Sequence, residues 1–252
     1  MEDKKHMQIL AERKDKIIYR EGDTVIKLFE RNYSKSDILN EALNHARIEE
    51  TNLRVPTLLE VTNQDGKWAI VQEHIPGKTL QTLMDEEPER QDEYLDLFLD
   101  IQMSIFDERA PLLNKLKDKT RRKIDSSGYD ATTRYELNMR LNSTPDHNKI
   151  CHGDFVPSNI IIQLDGTPCI LDWSHVTQGN ASADAALTYL LFLLDGKEEL
   201  GNEYLKRFCL KTDTAMQYVQ RWMPVVAAAQ SVKNKPEEKE FLGRWVHVAD
   251  YE

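Results

Sequence analysis

The sequence predicts an α+β fold with a β-rich N-terminal section and a mainly helical C-terminal section. Three observations carry that expectation. Two hairpin signals flank a single helical pattern ahead of Pro76, helical periodicity runs onward from Leu80, and one short β section between Lys149 and Leu171 interrupts the helices.

The first hairpin pairs Lys16-Ile17-Ile18-Tyr19-Arg20 with Thr24-Val25-Ile26-Lys27-Leu28-Phe29 around Glu21-Gly22-Asp23. A helix is expected over Ser34–Glu50. Ser34 or Ser36 can accept a bond from its first free amides, and Ile38, Leu39, Ala42, Leu43 and Ala46 recur at helical spacing. A second hairpin, Thr57–Val61 with Trp68–Gln72, turns at Asn63-Gln64-Asp65-Gly66. The expected order is two strands, a helix and two strands. Pro76-Gly77 then ends the section, which places a boundary near His74–Lys78 between residues 1–75 and 76–252.

From Leu80 to Leu141 the pattern is helical, punctuated by Pro88 and Pro111. Lys149-Ile150-Cys151, Ile160-Ile161-Ile162 and Cys169-Ile170-Leu171 read as short strands, with a turn at Asp165-Gly166. Beyond Ala181 helices are expected over Leu187–Leu194, Glu198–Leu210, Thr214–Val232 and Lys239–Ala249. There is no internal repeat.

The 252 residues suffice for one large domain or two coupled lobes sharing a cleft. No apolar run approaches the ~20 residues that span a bilayer, and the N-terminus leads into no signal-type run, so a cytoplasmic address is expected. Cys151, Cys169 and Cys209 are too few and too scattered for a disulfide framework or a structural zinc site, and read as free thiols. A formal net charge of −10 argues against a nucleic-acid partner and is compatible with a cationic small-molecule acceptor, and the lack of a spanning apolar run argues against a membrane partner.

The chemistry concentrates in Cys151-His152-Gly153-Asp154-Phe155-Val156-Pro157-Ser158-Asn159, a polar loop between apolar strands. Asp172 follows the next strand pair, and a hairpin returns its end beside its start, so Asn159 and Asp172 should share one mouth. Two oxygen donors so placed suit Mg²⁺, which keeps waters and substrate phosphates in its remaining positions. Asp154 is placed to accept a proton from an attacking hydroxyl. Phosphoryl transfer asks for these parts and for a lysine on the phosphates. Either motif alone arises readily as a turn or a strand end; together, in this order, they point to a kinase.

The loop resembles the His-Gly-Asp-x-x-x-x-Asn motif of the aminoglycoside phosphotransferase family. That family stands with choline-kinase-like small-molecule kinases in the protein-kinase-like fold. Ile170-Leu171-Asp172-Trp173 resembles its second signature, and the likeness spans nearly the whole chain. It implies a two-lobe kinase-like fold that uses ATP and Mg²⁺ to phosphorylate a hydroxyl of a small molecule. Position by position, Asp154 matches the catalytic base, Asn159 and Asp172 the metal ligands, and Lys27 the lysine on the α- and β-phosphates. Glu41 matches the acid paired with that lysine, with Glu49 as a second candidate nearer the helix end. Glu73 and His74 fall where the family's linker offers a carbonyl and an amide to adenine. His152 is expected to brace the Gly153-Asp154 loop. Asp184 resembles the Asp that opens the post-catalytic helix, where it either caps that helix or meets the acceptor.

Two departures bear on substrate. The first hairpin holds Gly22 without a Gly-x-Gly-x-x-Gly run, and no Ala-Pro-Glu segment follows Asp172, which leaves no activation loop. Both favour a small acceptor over a protein. Trp173, His175, Asp184 and Trp222 are candidate acceptor contacts. Tyr218, Trp245, His247, Asp250, Tyr251 and Glu252 offer further aromatic and anionic groups, or a helical core and a solvated end. The family name implies an aminoglycoside acceptor. A housekeeping kinase of choline, sugar or amino-alcohol type is the alternative, and a nucleotide-binding pseudokinase a third reading.

Overall fold

The computed structural model describes residues 7–247, so Asp250, Tyr251 and Glu252 lie outside the described residues. The chain forms two compact units: the described part of Met1–Leu83 with Ser158–His175, and Met84–Pro157 with the described part of Val176–Glu252.

The first unit is built on a five-stranded antiparallel sheet ordered β1-β2-β3-β5-β4. The expected strands appear as β2 (Lys16–Glu21), β3 (Thr24–Phe29), β4 (Leu58–Gln64) and β5 (Lys67–Glu73). Sequence reasoning missed β1 (Met7–Arg13), an edge strand exposed along nearly its whole length. Its apolar residues do not alternate, because neither face is buried. Asp65 and Gly66, both at positive φ, form the two-residue turn between β4 and β5, and the Gly66 amide donates to Asn63 Oδ1 at 3.1 Å.

Helix α1 (Lys35–Glu49) begins at Ser34, whose hydroxyl accepts from the Asp37 amide at 3.3 Å. Its buried face is not the apolar one expected. Ile38, Glu41, Ala42, His45 and Ile48 face inward, whereas Leu39 and Leu43 are exposed. Polar partners turned the helix: Glu41 bonds Lys27, and His45 is fixed between the Pro56 carbonyl at Nε2 and the Gln72 amide at Nδ1. Ile38 and Ala42 still pack on Phe29 and Ile70, with Tyr33, Leu58, Val61 and Trp68 at the margin.

A second sheet of the same unit, ordered β6-β8-β9, joins β6 (Gly77–Thr79), β8 (Ile160–Gln163) and β9 (Pro168–Ile170). Gly77, at φ 156°, is required there, since a Cβ would run into the Ile162 carbonyl.

After the short helix α2 (Leu80–Glu86), the second unit is helical around α3 (Gln91–Asp107), which buries Leu95, Phe98, Leu99, Ile105 and Phe106. The Phe98 ring stacks on Phe155 at 4.4 Å and meets Phe192 and Tyr204 edge-on. Helix α6 (Ala181–Leu194) is apolar nearly all round and correspondingly buried. The helices α7 (Glu198–Thr212) and α10 (Lys239–Val246) follow expectation. The expected helix over Thr214–Val232 is two, α8 (Met216–Gln220) and α9 (Met223–Ser231), because Pro224 cannot supply an interior amide and starts a new helix. Helices α4 (Leu116–Ser126) and α5 (Ala131–Ser143) pack on one another and on α9. The strands β7 (Lys149–Cys151) and β10 (Thr177–Gly179) pair antiparallel. No helix of the described residues is long and apolar enough to cross a membrane.

Candidate active site

In the first unit the sheet, α1 and the β8–β9 hairpin bring three of the expected residues together. Lys27 points from the buried face of β3, and its Nζ donates to Glu41 Oε1 at 2.7 Å and to Asp172 Oδ1 at 3.5 Å. The Lys27 side chain is only 9% exposed. Burial alone would lower its pKa; the charges of Asp172 and Glu41, with their hydrogen bonds, outweigh that and hold it above the ordinary lysine value. Lys16 Nζ lies 3.9 Å from the other Glu41 oxygen. Glu49, the second candidate, instead accepts from the Leu58 amide at 2.6 Å and fixes the start of β4.

Asn159 and Asp172 close the same end of the β8–β9 hairpin. The Leu171 amide donates to the Asn159 carbonyl at 2.8 Å, one step beyond the Ile160–Ile170 register pair. Asp172 holds a left-handed backbone at φ 58°, a conformation that costs a non-glycine residue roughly 1–2 kcal/mol. Such local strain is retained where surrounding contacts fix a side chain's aim. Among the described residues no group of three or more His, Cys, Asp or Glu could hold a metal. A carboxylate and an amide oxygen are a donor set that fits Mg²⁺, which needs few protein ligands when phosphates and waters complete its shell.

Glu73 and His74 end β5, and their own bonds limit what they can offer. Glu73 takes a two-pronged bond from Arg54 at 2.7 and 3.1 Å and accepts from the Thr57 amide and hydroxyl. The Arg54 guanidinium, with Thr57, holds its carboxyl at about 2. The His74 amide already donates to the Asp23 carbonyl at 2.9 Å. Trp173 follows Asp172 in a single 3-10 turn, is 1% exposed and donates its indole N–H to the Ile170 carbonyl. It is a core residue. His175, at the end of that turn, is half-buried.

In the second unit the His-Gly-Asp loop leaves β7 and is held from behind. Asp184, buried in the first turn of α6, accepts from the Gly153 amide at 2.8 Å and the His152 amide at 3.2 Å. Burial raises its pKa, while His152 and those amides act in the opposite direction. Asp184 is therefore committed to the loop rather than to the cap of α6. The cap is Asn180, whose Oδ1 accepts from the Ser182 amide at 2.9 Å. Asn two residues ahead of Ser182 was a legible cap signal that sequence reasoning passed over. His152 is fully buried and its Nδ1 accepts from the Asp154 amide at 3.3 Å, the bracing role expected of it. Gly153 sits at φ 79°, Thr188 donates to the Phe155 carbonyl, and Phe155 is locked against Phe98. These bonds leave Asp154 partly exposed at the tip of a rigid loop.

The same unit contains a cavity of about 520 Å³ whose walls include Lys117, Arg121, Asn142, His147, Asn180 and Trp222. Trp222 is 1% exposed, and its indole N–H has no partner among the described residues. Tyr218 accepts from Asn180 at 2.7 Å, Trp245 packs edge-on to Tyr189, and His247 packs edge-on to Tyr129. Of these, Trp222 fills the core, Tyr218 and Trp245 are half-buried, and His247 is exposed.

The fold is kinase-like. A thermostable mutant of aminoglycoside phosphotransferase APH(4)-Ia, solved as a ternary complex with ADP and hygromycin B, matches with a TM-score of 0.70 and 14% identity over 96% of this chain and 92% of that one. Choline kinase LicA from Streptococcus pneumoniae matches with a TM-score of 0.65 and 14% identity over 96% and 92%. An aminoglycoside-3'-phosphotransferase of type VIII gives 0.64 and 15% over 86% and 92%. At such identities the likeness is one of fold. No curated protein matches the chain. The profile of the APH phosphotransferase enzyme family, however, matches residues 14–222, and the chain belongs to that family.

Proposed function

We propose that the chain is an ATP- and Mg²⁺-dependent kinase that moves the γ-phosphoryl group to a hydroxyl of a small molecule. The observation that carries this reading is the buried Lys27, held at 2.7 Å by Glu41 and at 3.5 Å by Asp172. A lysine so buried keeps its charge only while anions face it. The short Glu41 contact fixes its aim, and the looser Asp172 contact can give way to phosphate oxygens.

Asn159 and Asp172 would hold Mg²⁺, which when bound neutralises charge on the β- and γ-phosphates. The Glu73 carbonyl and an amide beside His74 would meet the adenine edge. With the His74 amide given to Asp23, that donor falls to Ile75. Asp154 orients the acceptor hydroxyl and takes its proton. The hydroxyl oxygen forms the new bond to the γ-phosphorus, the bond from that phosphorus to the β–γ bridging oxygen breaks, and ADP departs. A cytoplasmic address fits this dependence on ATP.

Two acceptor readings follow. The family, and the hygromycin B bound by a relative of the same fold, support an aminoglycoside. The basic helix α4 favours a metabolite kinase, because an aminoglycoside is itself polycationic. The deciding experiment measures ATP consumption with Mg²⁺ against pooled hydroxyl compounds, with Asp154→Asn run alongside. Turnover that needs one pool and disappears in the variant is the expected result. Equal turnover in the variant would remove Asp154 from its role, and nucleotide binding with no turnover on any pool would leave a pseudokinase.

A further inference from the structure

We propose that the acceptor is an anionic hydroxyl compound, a hydroxy acid or a sugar phosphate, whose negative group is received by Lys119, Lys123 and Lys233 beside Asp154. The inference rests on the phosphotransferase reading above and names its substrate class.

Charge is the first argument. The chain carries a net charge of −10, yet α4 alone holds Lys117, Lys119, Arg121, Arg122 and Lys123 against Asp118 and Asp125. A local reversal of sign against so acidic a background marks where an anion is steered. Helical spacing divides these residues between two faces. Lys117 is spent on the Thr144 carbonyl and Asp146, and Arg121 on Asn142 and Asp118. Lys119 and Lys123 stand one turn apart on another face, where like charges repel.

Position is the second argument. Helix α4 packs on α9, and Lys233, just beyond the end of α9, adds a third ammonium to the pair. The carboxylate that acts electrostatically on Lys123 is Asp154. No described carboxylate forms an ion pair with Lys123 or Lys233. Burial, with the neighbouring cations, lowers Lys119 to about 7 and Lys123 to about 8. Half-buried ammoniums under mutual repulsion are unfavourable in the free protein and become favourable when an anion joins them. A basic cluster beside the proposed catalytic carboxylate thus holds an anion while its hydroxyl is presented to Asp154. A polycationic acceptor would meet repulsion at the same place.

The test has two arms, both on the full chain, with Lys119→Met/Lys123→Met and the exposed Lys206→Met as control. In the first, ATP consumption with Mg²⁺ is measured on a pool of hydroxy acids and sugar phosphates and on a pool of kanamycin, choline and ethanolamine. In the second, inorganic phosphate is titrated calorimetrically into protein saturated with Mg·AMP-PNP. We expect turnover on the anionic pool, an acceptor KM raised at least tenfold in the double variant with the ATP KM unchanged, and phosphate affinity reduced by a similar factor. Which member of the anionic pool is consumed separates carboxylates from phosphates.

Turnover on the cationic pool alone overturns the acceptor class and leaves the kinase reading standing. Equal phosphate affinity in wild type and double variant overturns the anion site. A raised ATP KM in the double variant reassigns the lysines to the nucleotide and also overturns it. Bound AMP-PNP with silence on both pools overturns the phosphotransferase reading, and the acceptor assignment falls with it.

Discussion

Asp184 Oδ1 accepts the backbone N–H of Gly153 at 2.8 Å, across 31 residues of sequence, and its other oxygen takes the N–H of His152. The position of the His-Gly-Asp loop therefore depends on a carboxylate buried behind it. Asp184→Ala would leave two buried amides without an acceptor, at a cost of roughly 1–3 kcal/mol each. We expect a clear loss of thermal stability and a fall in turnover, with Asp184→Asn intermediate because one acceptor oxygen remains. A Tm unchanged in the alanine variant would show that the loop is held by other means.

The Lys27–Glu41 pair gives a second prediction. Removing the Glu41 charge leaves Lys27 buried with Asp172 as its remaining close carboxylate. In Glu41→Gln the lysine should swing toward Asp172 and lose its aim at phosphate. Misplacement of about 1 Å costs on the order of a hundredfold in rate, so kcat/KM for ATP should fall by roughly that factor while the fold survives. Normal kcat/KM in this variant would deny the pair any part in holding nucleotide.

A third prediction separates metal binding from proton transfer. Asp172→Ala and Asn159→Ala should weaken binding of the Mg·nucleotide but leave metal-free nucleotide binding nearly unchanged. Asp154→Asn should do neither, and should lower turnover by about 10²–10⁴-fold, the range of general acid–base catalysis. Titrating AMP-PNP with Mg²⁺ and then with a chelator distinguishes these cases. Metal-independent affinity in all four proteins would argue against ligation at Asn159 and Asp172.

Much of this was legible in the sequence, and the parts that were not share a cause. The hairpins, the position of α1 and the His-Gly-Asp loop follow from turn chemistry and local period. The inward face of α1 did not, because Glu41 and His45 are buried by partners on β3, the Pro56 segment and β5, which local periodicity cannot see. Strand β1 was invisible because an exposed edge needs no alternation. From the sequence Asp184 reads as a cap of its own helix or an acceptor contact, whereas the amides it holds lie 31 and 32 residues upstream. The five basic residues of α4 could be read from the sequence, but the approach of Lys233 to Lys119 and Lys123 required the packing of α4 with α9.

Gly77 offers a fourth prediction, on stability alone. Its φ of 156° and the Ile162 carbonyl beside it leave no room for a side chain. Gly77→Ala must part β6 from β8, the strand that Asn159 precedes, and should destabilise by about 1–3 kcal/mol. Gly22→Ala, where a Cβ meets nothing, bears only the cost of its positive φ and should be milder. Urea denaturation of the two variants gives the comparison, and equal losses would mean that the β6–β8 approach is not a constraint.

The lysine cluster makes the last prediction one of pH. Lys119 at about 7 and Lys123 at about 8 lie below the ~10.4 of an unfolded lysine. Between those values the unfolded chain binds more protons than the folded one, so stability rises with pH across the window. The penalty is present in full below about 7 and gone above about 10. Burial is its first cause, with Arg122, Lys233 and the two lysines themselves adding repulsion and Asp154 opposing it. The wild type should therefore gain Tm from pH 7 to 9.5 relative to Lys119→Met/Lys123→Met, which lacks the two titrations. Anion binding restores their charge, so phosphate titrated at pH 8 should take up protons, seen as a heat that changes with the ionisation enthalpy of the buffer. Identical pH profiles in the two proteins, or a buffer-independent heat, would show that these ammoniums are neither strained in the free protein nor relieved by an anion.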